Sequence, residues 1–207
     1  MAKAFVRAGA GSVAAPFEYV AGLGRGERGL LVTVLGQLAD LLTPDGPRRS
    51  PEGSATFESI VSGIGSLTTP QGAPALPEDP AVARLIPDGH RSEPELSAEF
   101  RRLTEAGLRN RKAEAARCAA EALGRATGHE VRLTQDEAQA FARALTDVRL
   151  VLAVRLGVSE EGDLDQLEEH ADTLPERHPV TAALNLYNFL AWLQDSLVTA
   201  LLGGDDA

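Results

Sequence analysis

Glycine-rich turns, histidines, paired carboxylates and one thiol are the residues of this chain whose types could do chemistry, and each points to a different one. Gly22-Leu23-Gly24-Arg25-Gly26 and Gly9-Ala10-Gly11 have the small-residue density that lets a backbone approach a phosphate. Neither completes a dinucleotide fingerprint, and neither carries the lysine of a phosphate loop. His90, His129, His170 and His178 lack metal-ligand spacing, and Pro175 lies between the last two, so those cannot share one helix face. Glu160-Glu161 and Glu168-Glu169 are adjacent pairs in an acidic stretch, a pattern of solvated charge rather than of an acid set against a base. No nucleophile elbow is present. The chain reads as a non-enzyme with no catalytic residue, no cofactor-binding residue and no metal site.

Cys118 is the single cysteine, which excludes an intramolecular disulfide and a cysteine-rich metal site within the sequence. A redox role needs exposure and a lowered pKa. Arg117 is near enough in sequence to help, but its side points away from the core face. The plainer reading of Cys118 is a small core residue.

The charged residues between 95 and 126 sort by helical period. On a wheel of about 100° per residue, Leu96, Phe100, Leu103, Ala115, Cys118 and Ala122 share one face. Arg101, Glu105, Arg109 and Lys112 share a narrow opposite sector, with Glu105 and Arg109 in the favourable i, i+4 order. The plain reading is a solvated, salt-bridged face; the functional one is a docking strip for an acidic partner. Arg111 falls on the apolar side, and Arg149 and Arg155 flank the stripe Phe141, Leu145, Val148, Leu152 and Leu156. Asp195 sits in an otherwise apolar helix. Because a partly buried charge needs an opposite one, Asp195 is expected to pair with Arg149, Arg155 or Arg102.

The elements that must position these residues are mostly helices. A short hairpin is expected across 5–19. Apolar residues at Leu30, Leu31, Val34, Leu35, Leu38, Leu41 and Leu42 give a helical period over 26–42, ended by Pro44, Gly46, Pro47 and Pro51. A weaker apolar segment follows at 57–67. Asp79-Pro80 opens a short helix through Leu85. A long helix runs over 95–126 and stops at Gly128, with Gly107 costing it about 1 kcal/mol relative to alanine. Thr134 and Glu137 form a capping box for the next helix, which ends at Gly157. A further helix is expected around 164–173, and Pro179 opens the last, which ends at Gly203-Gly204. The expectation is a mainly α, compact helical domain of five to six helices with a short N-terminal β-hairpin. It is read as one domain over 1–207, with loops or linkers at 43–56 and 68–78.

Charge and composition narrow the function. The net charge is −10 over 207 residues. Between 158 and 207, eleven acids stand against Arg177 alone, so this segment accounts for the whole imbalance. An acidic chain is repelled by phosphate backbones, so direct DNA binding is disfavoured. Aromatics are only 4%, which leaves the core to leucine, valine and alanine and favours closely packed helices. The most apolar stretch, 180–202, is interrupted by Asn185, Asn188, Gln194, Asp195 and Ser196 and is no membrane span. Without signal-peptide features the chain reads as cytoplasmic. The last helix is apolar on most of its circumference, so it either lies in the core or crosses to a second chain, leaving monomer and homodimer both open.

Four blocks in order carry a resemblance. They are Asp79-Pro80-Ala81-Val82-Ala83-Arg84-Leu85-Ile86-Pro87-Asp88; Phe100-Arg101-Arg102-Leu103-Thr104-Glu105; Ala144-Leu145-Thr146-Asp147-Val148-Arg149-Leu150 with Arg155-Leu156-Gly157; and the helix over 187–202. Together they resemble the actinobacterial AosR-like family, long catalogued as a domain of unknown function, over roughly 26–202. Eighteen arginines against only Lys3 and Lys112 fit a high-GC actinobacterium. The resemblance implies a cytoplasmic regulator of the oxidative-stress response. It implies action on transcription through a sigma factor or RNA polymerase rather than through a DNA-binding motif of its own. A sensor built on an intramolecular disulfide needs two cysteines, and here there is only Cys118. Two alternatives stand beside it: an adaptor or regulator of Clp-type proteolysis, and a dimerisation module without a redox role.

Overall fold

The structure, a computed structural model, describes residues 2–9, 16–43, 77, 79–87, 89, 94–160, 162–175 and 177–203. The apolar segment at 57–67, His90 and nearly all of the loops expected at 43–56 and 68–78 lie outside them. Among the described residues the order is β1 (Lys3–Ala8), β2 (Glu18–Gly22), α1 (Arg25–Leu42), α2 (Pro80–Leu85), α3 (Pro94–Arg125), β3 (Glu130–Leu133), α4 (Gln135–Arg155), α5 (Asp163–Ala171) and α6 (Pro179–Leu202). The mainly helical expectation is met, with six helices among the described residues. None of the described helices is long and apolar enough to cross a membrane.

Local chemistry sets the boundaries. Gly24 precedes α1, and its backbone N–H donates to Glu27 Oε2 at 2.7 Å, so the glycine-rich turn is a strand-to-helix junction plugged by its own carboxylate. Asp79 Oδ1 accepts from the Ala81 N–H at 2.8 Å, and Pro80 stands at the first helical position of α2. The capping box at α4 is formed in both directions: Thr134 N donates to Glu137 Oε2 at 2.9 Å, and Glu137 N to Thr134 Oγ1 at 3.3 Å. Gly157, at φ +77°, turns α4 off through bonds from its own N–H to Val154 O and from Val158 N to Ala153 O.

The chain divides into two units. The first comprises Met1–Pro44, Arg109–Val148 and Leu190–Ala207. It contains an antiparallel sheet of order β1-β2-β3, in which Val6 faces Val20, Tyr19 faces Leu133 and Val20 faces Arg132. The hairpin expectation is therefore extended by a third strand that comes from between α3 and α4. Alternation places Phe5, Tyr19, Ala21, Val131 and Leu133 on the buried face. Phe5 meets Phe141 of α4 edge-on, with ring centroids 6.1 Å apart. Leu31, Val34, Leu35, Leu38 and Leu42 are the buried stripe of α1, while Leu193 and Leu197 supply that of α6 in this unit. On the edge of the sheet, Phe5 N donates to Ser196 Oγ at 3.2 Å.

The second unit comprises Asp45–Leu108 and Arg149–Phe189. Its buried apolar residues include Ala81, Val82, Leu85 and Ile86 from α2 and its C-cap, Leu152 from α4, Ala171 from α5, and Ala183, Leu184 and Leu186 from α6. Asn188 Nδ2 donates to Glu168 Oε1 at 3.1 Å, which links α6 to α5. Helices α3, α4 and α6 each contribute one segment to each unit.

Candidate functional site

The residues read as a docking strip all lie on α3, and the structure turns their sector inward. Arg101 is only 8% exposed, and Glu105, Arg109 and Lys112 are part-buried. Leu96, Phe100 and Leu103, expected in the core, are 45%, 49% and 67% exposed. The expected orientation is thus corrected by roughly a third of a turn. The cause lies in which residues do the packing. Ala113, Ala115, Ala116, Ala119, Ala122 and Leu123 are buried, so the C-terminal half docks through small side chains that a scale of apolarity underweights. Arg111, read as lying on the apolar side, is exposed, as the corrected orientation requires.

Lys112 meets a partner that the pattern did not single out. Its Nζ donates to Asp147 Oδ1 of α4 at 2.5 Å, with the lysine side chain 23% and the aspartate side chain 5% exposed. Burial pushes the Asp147 carboxyl up from its ordinary pKa, and the hydrogen bond and charge of Lys112 only partly oppose this. A signal was available in the sequence. Ala140, Ala144 and Asp147 stand at i, i+4 and i+7, and all three are buried, which places the acid on a small-residue packing face.

Asp195 is exposed, so the pairing expected for it is not required. Two of its expected partners are engaged elsewhere: Arg155 Nη2 bonds Asp79 Oδ2 at 2.5 Å, and Arg102 pairs with Glu99 on the surface at 2.6 Å. Asp79 therefore has two jobs, one oxygen capping α2 and the other holding the end of α4. Arg149 lies over the Tyr187 ring, 5.0 Å from its centroid, and donates to the hydroxyl at 3.3 Å. Arg155 and Arg149 thus tie separate elements together, whereas Arg102 pairs within its own helix.

Cys118 is part-buried. Burial raises its thiol pKa, and Glu137, Glu121 and Glu114 raise it further against the smaller opposing effect of Arg125. Arg117 gives it little help, because its guanidinium bonds Thr43 Oγ1 at 2.9 Å and lies beside Glu114. These surroundings favour the protonated thiol over the thiolate.

The remaining candidates have structural duties. The His129 carbonyl accepts from the Leu23 N–H at 2.7 Å, and His178 Nδ1 from the Val180 N–H at 3.3 Å. No group of three or more histidine, cysteine, aspartate or glutamate side chains among the described residues is placed to hold a metal ion. Glu160 N and Ser159 N both donate to Asp163, lowering its pKa at the start of α5.

Comparison with known proteins places this architecture among relatives. The chain is 30% identical over 140 residues to the oxidative stress regulator AosR of Mycobacterium tuberculosis and, to the same degree, to that of Mycobacterium bovis. It is 29% identical over 139 residues to the putative oxidative stress regulator AosR of Mycobacterium leprae. The aligned part is 61% of this chain and 60% of each relative, so the match spans less than two thirds of those proteins. No solved structure matches the chain. A family model described as Domain of unknown function (DUF2017) matches residues 2–201, and the chain belongs to that family.

Proposed function

We propose that this chain is a non-enzymatic regulator of the oxidative-stress response that works by binding a protein of the transcription machinery, a sigma factor or RNA polymerase. The observation that carries the reading is the 140-residue similarity to proteins named as oxidative stress regulators. The charge distribution supports a protein partner over DNA, since the excess of acid would weaken contact with phosphates. The site chemistry supports a role without catalysis: the buried polar side chains described above hold helices together.

The environment of Cys118 refines the reading. Burial and three glutamates favour the protonated thiol, which supports a reading in which Cys118 is not the oxidant sensor. The test is affinity capture of the tagged protein from an actinobacterial lysate, with and without peroxide, beside Cys118→Ser. Enrichment of RNA polymerase with a sigma factor, equal for both proteins, is the expected result. Enrichment of Clp components without transcription proteins would replace the reading with that of a proteolysis adaptor. Capture that disappears in Cys118→Ser would restore the thiol as sensor.

A further inference from the structure

Helix α3 presents an apolar seam to solvent. Leu96, Phe100 and Leu103 follow one another at spacings of four and three residues, and they are 45%, 49% and 67% exposed. That spacing is the repeat by which two helices interlock. The next position of the seam is Gly107, exposed and small enough to let a second helix come close. Phe100 is held in place, since its ring lies against Gly89 so closely that an added Cβ there would come within 2.7 Å of it. An exposed Glu99–Arg102 ion pair runs along one flank, with side chains 54% and 58% exposed.

The seam and its flank are self-complementary. In an antiparallel pair with a two-fold axis beside Phe100, each flank faces the same flank of the second copy. Leu96 then meets Leu103 of the second copy, and Phe100 meets its own equivalent. At 1.5 Å of rise per residue, Glu99 comes level with Arg102 of the second copy to within about 1.5 Å along the axis. The pairing occurs twice, once on each side of the axis. The two charges that bond within one helix can thus exchange partners and bond between two.

The exposed apolar face of α6 lacks this property. Trp192, Val198 and Leu202 are exposed there, but the exposed Asp195 lies among them, so a two-fold pairing on that face would bring carboxylates together.

We propose that α3 is a self-association surface, at which two copies of this chain pair antiparallel through Leu96, Phe100 and Leu103, with Glu99 bonding Arg102 of the second copy. The inference is independent of the regulatory reading. The contact is small, so the dimer belongs to the transient class that forms and separates with concentration.

Sedimentation velocity over a series from roughly micromolar to millimolar tests this on the full chain. The expected result is a concentration-dependent shift from monomer to dimer. Leu103→Glu should weaken the dimer by about tenfold or more, because two carboxylates, one from each copy, then enter a seam that was apolar. Glu99→Arg sets like charges opposite each other and should weaken it at low salt, as should Arg102→Glu. The double reversal, Glu99→Arg with Arg102→Glu, should restore it. These side chains are exposed, so helical circular dichroism should be the same in all four variants. A chain that stays monomeric throughout the series would overturn the proposal. A dimer that ignores Leu103→Glu, or one that the double reversal fails to restore, would overturn it equally.

Discussion

The two halves of α3 invert the usual relation between apolarity and burial. In residues 94–108 the bulky apolar side chains Leu96, Phe100 and Leu103 face solvent, while Ser97 and Arg101 are buried. In residues 109–125 the buried face is almost entirely alanine, closed by Leu123, and it takes in Lys112 only because Asp147 receives it. The difference shows that a helix docks where its neighbours can approach, and alanine permits a closer approach than leucine. A polar side chain can share such a face when a partner is supplied from across the contact.

The largest effect that would sharpen this contrast comes from Lys112. Lys112→Met leaves the Asp147 carboxylate buried without its cation and should destabilise the fold by about 3 kcal/mol near neutral pH. Adding Asp147→Leu should recover most of that loss, as read by chemical denaturation. The pH dependence has a definite sign. The Asp147 pKa is raised in the folded state, so its contribution is fully present below the ordinary aspartate range and is lost as pH rises through the raised value. The penalty of Lys112→Met should therefore shrink on acidification, as Asp147 takes up a proton. A penalty that grows in acid would show that the carboxylate is not desolvated.

Overpacking the alanine face comes next. Ala119 is fully buried, so Ala119→Leu should cost about 1–3 kcal/mol in thermal or denaturant unfolding. A neutral outcome would mean that this half of α3 is as loosely packed as the other.

Glu137 gives a smaller effect of opposite pH sign. Burial works to raise its pKa, but the Thr134 N–H and the Arg125 guanidinium prevail and lower it. Its stabilisation is present above the ordinary glutamate range and disappears as pH falls through the lowered value. Glu137→Gln should cost about 0.5–1 kcal/mol at neutral pH and almost nothing in acid, as followed by unfolding across a pH series.

Leu103→Glu should change monomer stability least, within about 0.5 kcal/mol, since the side chain is already 67% exposed. A large loss would mean that the exposed half of α3 is packed after all.

Much of the fold was legible in the sequence because helix ends carry strong local chemistry. Asp79-Pro80, the Thr134–Glu137 capping box and Gly157 each act within a few residues of their own position, and all three boundaries fall where these signals put them. Strand β3 was not legible: Glu130–Leu133 is four residues long, and it becomes a strand only because β2 is beside it. The facing of α3 was misread for a related reason. Its alanines carry little hydrophobic signal, and what makes them buried is the shape of their neighbours. Asp195 looked costly because its helix is apolar, yet Val198 and Leu202 are themselves exposed, so apolarity along α6 does not mean burial.

The bond from Phe5 N to Ser196 Oγ joins positions 191 residues apart. During synthesis the first strand emerges long before the helix that covers its edge. Until then that edge has unpaired backbone donors, the kind of surface on which nascent chains stick to one another. A chain that ends before residue 196 therefore lacks the hydroxyl that accepts from the Phe5 N–H. Protection of this part of the β1 edge thus waits on the synthesis of α6.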